Sequence, residues 1–241
     1  MKTIAIIPAR GGSKGVPKKN LVELCGHPLV AWTIGAARQS KNVAQVFVST
    51  DCREIAKVSE HYGASVVMRP REISGDSASS ESAIIHVLDE LERTQGIVPE
   101  LCVFLQATSP LREIGEIDRA LEKFRLERLD SLLSVAQAED QLLWSLKDGA
   151  LTCVNHDYRH RKPRQDESGH EKLLCENGSI YIFRTQLLRE TGNRLGGKIG
   201  VALAPYWRSF QIDTVEELTI CRFLMRELGL DRQGLIEIDP I

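Results

Sequence analysis

The chain of 241 residues lacks any run of 18 consecutive apolar residues, which argues against a transmembrane helix. Its first residues form a short apolar run behind one lysine and lack the long apolar core of a secretory signal peptide, so we expect a cytoplasmic protein. A strong charge of either sign is also missing, since the formal net charge is −2. This balance argues against nucleic acid or an anionic membrane as the main partner.

The sequence also lacks the signatures of structural disulfides and zinc sites. Its six cysteines are widely spread without a C-x-x-C pair, and no histidines cluster at zinc-site spacing. We therefore expect free thiols in a reducing compartment. No internal repeat or low-complexity tract is visible, so we expect residues 1–241 to form a single domain.

What the sequence does contain is an alternation of short apolar, β-rich runs with helical patterns. The predicted strands cover residues 3–8, 45–50, 64–68, 101–106, 131–136, 179–183 and 199–204. The predicted helices cover residues 28–38, 53–62, 80–93, 113–124 and 215–228. Such alternation predicts an α/β protein with a largely parallel sheet and helices on both faces.

A glycine-rich loop with four basic side chains follows the first predicted strand at once. Such a backbone can curl and expose its amide hydrogens, which is a common way to hold a polyphosphate. Counted from Gly11 or Gly12, the loop fits neither the Walker pattern nor the dinucleotide fingerprint. We therefore expect a side-chain clamp made by Arg10, Lys14 and Lys19, the alternative being a solvated basic turn.

Ligands of parallel sheets bind beyond the carboxyl ends of the strands. Three polar segments lie at such ends, namely the loop that begins at Ala9, residues 49–51 and residues 106–110. We expect these segments to converge on one crevice.

Residues 137–172 differ from the rest of the chain because they are polar, with a basic run at 158–167. We interpret them as an insertion-like excursion from the single domain. The basic run is compatible with disorder, with a solvated loop or with an anion-binding arm.

Five segments, in order, resemble the CMP-sialic acid synthetases (acylneuraminate cytidylyltransferases), and the resemblance covers nearly the whole chain. They are residues 7–21, 48–51, 69–70 with 76–80, 106–112 and 176–181. The resemblance implies a Rossmann-like nucleotidyltransferase domain that dimerises with a second copy through the extended excursion. It implies an Mg²⁺-dependent reaction in which the anomeric hydroxyl of a nine-carbon sugar acid attacks the α-phosphate of CTP, giving a CMP-sugar and pyrophosphate.

The resemblance also implies the site residues. The catalytic residues are expected to be Arg10, Lys19 and Asp213. The expected CTP-binding residues are Ala9, Arg10, Gly11, Gly12, Ser13, Lys14, Lys19, Asn20, Arg69, Ala78 and Ser80. The expected sugar-binding residues are Gln106, Thr108, Ser109, Arg164, Asn177 and Gly178. Among them, Arg164 would meet the sugar carboxylate, because a guanidinium matches a carboxylate bidentately.

The metal site departs from the family pattern. Where the family has Asp-Ile-Asp, this chain has Gln211 and Asp213 around an isoleucine, so only Asp213 offers a carboxylate to Mg²⁺. Both side chains are expected on one face of a strand. One aspartate suffices if the triphosphate and water supply the remaining oxygens. The competing interpretation of Asp213 is a helix N-cap before Val215.

Several of these segments have a second interpretation. Residues 76–82 also suit a helix N-cap, and Asn177 with Gly178 also suits a turn before a strand. The substrate could be a related acid, namely legionaminic acid, pseudaminic acid, Kdn or Kdo. The loss of a carboxylate at Gln211 is also compatible with a non-catalytic nucleotide-binding protein.

Overall fold

The computed structural model describes residues 2–76, 78–138, 142–160 and 173–232. Within these residues seven strands form the main sheet, and two further strand pairs are small. The strands are β1 (Thr3–Pro8), β2 (Glu23–Leu24), β3 (His27–Pro28), β4 (Gln45–Thr50), β5 (Ser65–Met68), β6 (Leu101–Leu105), β7 (Ser131–Gln137), β8 (Trp144–Lys147), β9 (Ala150–Cys153), β10 (Leu174–Arg184) and β11 (Ile199–Ala204). The main sheet has the order β11-β7-β10-β6-β1-β4-β5, while β2 pairs with β3 and β8 with β9.

Six α-helices accompany the sheet in the described part of the chain. They are α1 (Leu29–Arg38), α2 (Arg53–His61), α3 (Ser80–Gln95), α4 (Glu116–Leu126), α5 (Thr185–Thr191) and α6 (Val215–Glu227). Helix α4 starts three residues later than the sequence predicts, because Gly115 caps it in a left-handed conformation with φ 77°. Helix α5 is not predicted from the sequence. Within the described ranges no helix is long and apolar enough to span a membrane.

The sheet is parallel except at β10, which runs antiparallel to both of its neighbours, β6 and β7. Parallel neighbours need a crossover connection, usually a helix. Strand β10 instead returns from the excursion that starts after β7, so it enters the sheet in the opposite direction. The prediction of an α/β fold with a largely parallel sheet is thus confirmed.

Alternation along the strands divides the core between the two faces of the sheet. In β1, Ala5 and Ile7 belong to the cluster beneath α1 and α4, whereas Ile4 and Ile6 belong to the cluster beneath α3. Successive side chains of a strand point to opposite faces, so a strand covered on both faces is apolar throughout. This explains why β1 is a continuous apolar run.

A third apolar cluster packs α6 against α1 and fixes the segment that precedes α6. It contains Leu29 and Trp32 of α1, Met225 of α6, and Ile212. The Ile212 amide also donates a hydrogen bond to the carbonyl of Thr108 at 2.8 Å. These contacts bring residues 211–213 to the carboxyl end of β6.

Candidate active site

A cleft of about 540 Å³ opens at the carboxyl ends of β1 and β6. Eleven of the residues predicted to form the site line it, namely Arg10, Ser13, Lys14, Lys19, Asn20, Arg69, Ala78, Ser80, Gln106, Thr108 and Asp213. Six others that are not among the predicted site residues also line it, namely Pro8, Gly15, Asp76, Ser79, Phe104 and Ala107. The first and third predicted polar segments therefore meet here.

The second polar segment, residues 49–51, supports the cleft from behind. The Asp51 carboxylate accepts a hydrogen bond from the amide of Gly11 at 2.8 Å. Ser49 accepts from the Arg69 guanidinium through its hydroxyl at 3.1 Å and through its carbonyl at 2.8 Å. This segment thus fixes the glycine loop and orients Arg69.

Two glycines let the loop after β1 lie close to its surroundings. A Cβ on Gly11 would lie 2.9 Å from the Cβ of Cys52, and a Cβ on Gly15 would overlap the carbonyl oxygen of Asp213. The side-chain amide of Asn20 closes the loop by donating to the carbonyl of Arg10 at 2.9 Å. The local sequence therefore holds this loop against Asp213.

The loop divides its basic side chains between the cleft and the outer surface. Arg10, Lys14 and Lys19 line the cleft. Lys18 has a left-handed backbone with φ 51° and pairs with Glu54 at 2.7 Å, where both side chains are exposed. Three of the four cations thus face one space, as the clamp prediction requires.

Asp76 is paired with two of these cations. Its carboxylate lies 2.7 Å from Arg10 and 2.6 Å from Lys14. Hydrogen bonds from Lys14 and Arg10 hold the pKa of Asp76 below its ordinary value, so the carboxylate is charged at neutral pH. Asp76 is therefore already a partner of two of the cations that face the cleft.

Lys19 and Asp213 form the second ion pair, with 2.6 Å between Nζ and Oδ1. The Lys19 side chain is only 14% exposed, whereas that of Asp213 is 62% exposed. The N-cap of α6 is Thr214, which forms a capping box with Glu217, so the interpretation of Asp213 as the N-cap is wrong. Asp213 is thus available to the cleft.

Arg69 also lines the cleft and is buried. Burial is the main cause that lowers the pKa of its guanidinium, with Asp51 acting in the opposite direction. Next to it, α3 begins at Ser80, and its N-cap Ser79 accepts a hydrogen bond from the Ser82 amide at 3.1 Å, which confirms the N-cap interpretation of residues 76–82. The positive end of the α3 dipole therefore borders the cleft and favours anions.

The loop after β6 is held by a buried arginine, Arg112. Its guanidinium donates to the carbonyl of Gln106 at 2.9 Å, to the hydroxyl of Thr33 at 2.9 Å and to the carbonyl of Ser179 at 2.6 Å. Burial lowers the pKa of Arg112 to about 10, so the group stays charged at neutral pH. Arg112 ties α1, the loop after β6 and β10 together beneath the cleft.

The predicted residues Asn177 and Gly178 lie within β10, where the pairing with β7 shifts register between Glu176 and Tyr181. The interpretation as a turn before a strand is therefore wrong, because the strand already begins at Leu174. The positive φ of 67° at Gly178 instead marks a β-bulge. The side-chain oxygen of Asn177 accepts from Ser134 and from the amide of Ser179.

Several predicted residues do not line the cleft. Ser109 and Asn177 are each only 1% exposed. Ala9, Gly11, Gly12 and Gly178 contribute to the backbone around the cleft and are absent from its lining. Arg164, the predicted partner of the sugar carboxylate, lies outside the described residues, so its role stays a prediction.

The oxygen donors in the cleft suit a magnesium ion that takes most of its ligands from substrate phosphates and water. Asp213 presents an exposed carboxylate, a hard oxygen donor of the kind that Mg²⁺ prefers alongside substrate phosphates and water. Within the described ranges no three His, Cys, Asp or Glu residues group to hold a metal by themselves. Residues 210–213 are not in a strand, contrary to the prediction, and Gln211 is absent from the cleft lining.

The fold matches two solved cytidine-nucleotide enzymes. A CMP-2-keto-3-deoxy-manno-octonic acid synthetase complexed with CTP superposes with a TM-score of 0.69 at 18% identity, covering 95% of this chain and 100% of that one. The 4-diphosphocytidyl-2C-methyl-D-erythritol synthase of Anaerococcus prevotii superposes with a TM-score of 0.64 at 12% identity, covering 93% and 98%. At these identities the likeness concerns the fold alone.

Curated proteins found by sequence are more similar to this chain in sequence than these two structures are. The N-acylneuraminate cytidylyltransferase of Oncorhynchus mykiss is 36% identical over 97% of this chain and 53% of its own length. That of Streptococcus agalactiae is 38% identical over 79% of this chain and 45% of its own length. This chain therefore spans about half the length of the curated relatives it matches. Since residues 4–193 match the pattern that defines the cytidylyltransferases, the chain belongs to the cytidylyltransferase family.

Proposed function

We propose that this protein transfers CMP from CTP to the anomeric hydroxyl of a sialic-type sugar acid and releases pyrophosphate. The observation that carries the proposal is one cleft in which Arg10, Lys14 and Lys19 converge beside Asp213, in a chain of the cytidylyltransferase family. The relatives named N-acylneuraminate cytidylyltransferases support a nonulosonic acid as the acceptor.

Each cation suits one part of the triphosphate. Lys19 is the more enclosed and is fixed beside Asp213, so we assign it to the α-phosphate, where negative charge develops during in-line attack. Arg10 and Lys14 share one carboxylate partner, and we assign them to the distal phosphates that leave as pyrophosphate. This division stabilises the leaving group and orients the phosphorus for attack.

Two further groups of residues that line the cleft would form the subsites for the base and for the sugar acid. Arg69, together with Ala78 and Ser80 at the start of α3, would read the cytosine, whose ring carries hydrogen-bond acceptors for a guanidinium. Gln106 and Thr108 would contact the sugar acid from the loop after β6. Asn177 and Gly178 would support the floor of that second subsite.

Asp213 would hold Mg²⁺ together with the triphosphate, since its carboxylate is the donor that fits. When bound, the ion neutralises charge on the triphosphate and on the departing pyrophosphate. Ion pairing with Lys19 keeps Asp213 oriented toward the same space as the α-phosphate position.

A homodimer and a cytoplasmic location complete the proposal. The excursion at residues 137–172 contains the β8–β9 hairpin, on which Trp144, Leu146 and Leu151 are exposed. Large exposed apolar side chains on such an arm suit an interface with a second copy. All six cysteines are free thiols, which suits a reducing compartment such as the cytoplasm.

We expect Asp76 to compete with the phosphates of CTP, because its carboxylate forms ion pairs with both Arg10 and Lys14. We expect Asp76→Asn to lower the Kd for CTP about two- to fivefold, the range of an exposed ion pair. Isothermal titration calorimetry with CTP and Mg²⁺ measures this. The control is Asp89→Asn, which breaks an exposed ion pair between Asp89 on α3 and Arg189 on α5. Weaker CTP binding in Asp76→Asn would assign Asp76 to the ligand side of the site instead.

The proposed function is tested by pyrophosphate release from CTP and Mg²⁺ in the presence of N-acetylneuraminic acid, Kdn, legionaminic acid, pseudaminic acid or Kdo. We expect turnover with at least one nine-carbon acid, and the acid turned over fastest identifies the substrate. If no acid gives pyrophosphate release although the protein binds CTP, the result would favour a non-catalytic nucleotide-binding protein.

A further inference from the structure

We infer that Gln211 is a positioning residue for the sugar-acid side of the cleft and not a metal ligand. The inference rests on the proposed function, because it concerns the subsite that we assign to the sugar acid. It explains why an amide stands at Gln211, where the family pattern has a second carboxylate.

The side chain of Gln211 bridges two segments that are far apart in the sequence. Its Oε1 accepts a hydrogen bond from the hydroxyl of Thr108 at 3.2 Å, and its Nε2 donates to the carbonyl of Asn177 at 3.0 Å. A backbone carbonyl can only accept, so the amide nitrogen must face Asn177 and the oxygen must face Thr108. A carboxylate at this position has no proton to donate to Asn177.

Gly178 links this bridge to Gln106. A Cβ on Gly178 would lie 2.5 Å from Nε2 of Gln211 and 2.7 Å from Oε1 of Gln106, so both amides pack against the bare backbone of the bulge. Gln106 lines the cleft. Gln211 therefore fixes the bulge against which the cleft-facing Gln106 rests.

The same contacts separate Gln211 from the metal position. The oxygen of its amide is already the acceptor for Thr108, and Gln211 is absent from the cleft lining, whereas Asp213 lines the cleft beside Lys19. A neutral amide oxygen is also a poorer partner for Mg²⁺ than a carboxylate. Asp213 alone of the two residues is placed to serve a metal.

Two substitutions at Gln211, each with a side chain about as long as that of glutamine, test the inference. Gln211→Glu removes the donor and adds a charge, and Gln211→Met removes both hydrogen bonds without a charge. We expect both to raise the KM for the sugar acid up to about tenfold, as for the loss of a partly buried hydrogen bond, and to shift the half-saturating Mg²⁺ concentration less than about twofold. Gln95→Glu, an equal charge change at the exposed end of α3, is the control.

A metal ligand would give a different pattern. Gln211→Glu would then lower the half-saturating Mg²⁺ concentration and Gln211→Met would raise it, while the KM for the sugar acid stayed constant. That result would overturn the inference.

Hydrogen exchange decides the question independently of turnover. If wild-type protein releases no pyrophosphate with any acid, the proposed function is wrong, and the positioning role is judged by exchange alone. We expect faster amide exchange in the peptide covering Leu174–Arg184 of Gln211→Met, with the Mg²⁺ dependence of CTP binding unchanged. Wild-type exchange rates in that peptide would overturn the inference.

Discussion

Replacing Lys19 by alanine is expected to lower kcat about 100- to 1000-fold, the loss typical of removing one group that stabilises transition-state charge. The Lys19 ammonium is largely enclosed, is held at 2.6 Å by Asp213 and faces the cleft, so we expect water to screen its interaction with an α-phosphate less than at the surface. The fold should persist, because the side chain contributes to no apolar cluster.

The adjacent lysine supplies a matched control for this experiment. Lys18→Ala removes the same charge one residue away, but Lys18 pairs with Glu54 on the outer surface. We expect Lys18→Ala to keep kcat within about twofold of wild type, because exposed ion pairs contribute little. Pyrophosphate release and circular dichroism on both variants measure catalysis and folding separately. Equal losses in the two variants would refute the assignment of Lys19 to the α-phosphate.

Replacing Arg112 by alanine is expected to lower the free energy of unfolding by about 3 kcal/mol, which lowers Tm by about 6 to 12 °C. The side chain is buried and donates to Gln106, Thr33 and Ser179. Removing the buried charge recovers desolvation energy, but it takes the guanidinium donors away from the buried carbonyl of Ser179 and leaves the carbonyl of Gln106 with only longer hydrogen bonds, from Ser109 and Thr33. Charge-assisted hydrogen bonds contribute more than neutral ones, so the loss of this set outweighs the recovered desolvation.

Urea unfolding of Arg112→Ala and Arg112→Lys measures this cost. Lysine keeps the charge but cannot reach three acceptors with a planar fork, so we expect an intermediate loss. Arg119→Ala is the control, since Arg119 is exposed and its ion pair with Glu113 spans 3.5 Å. An Arg112→Ala midpoint equal to that of wild type would contradict the buried bridge.

Much of the fold follows from local patterns in the sequence. The apolar strand β1, the glycine loop after it and the amphipathic α3 are all visible there, because burial on both faces and a helical stripe leave periodic signals. The convergence of the loop with residues 106–108 follows from the general position of ligands at a parallel sheet. The antiparallel direction of β10 does not follow, because it depends on how the excursion returns.

The site is less predictable where it depends on contacts across long sequence separations. Nothing local indicates that Asp76 pairs with Arg10, 66 residues away, although the aspartate lies within a predicted motif. The bulge at Gly178 resembles a turn in sequence, since both conformations favour asparagine followed by glycine. The two oxygen-bearing residues Asp213 and Thr214 compete as N-cap candidates, and the capping box with Glu217 selects Thr214.

The contacts of Gln211 are another feature of the site that the sequence does not predict. The sequence reveals the missing carboxylate but not the contacts that replace it. Only the fold shows that the amide joins Thr108 to Asn177 across the floor of the cleft.

The most direct test of CMP transfer is ³¹P NMR of one mixture that contains the protein, CTP, Mg²⁺ and N-acetylneuraminic acid. We predict that a phosphodiester signal and pyrophosphate appear in equal amounts as CTP disappears, and that neither appears without the sugar acid. Release of inorganic phosphate with CDP, or of free CMP independent of the acid, would contradict CMP transfer.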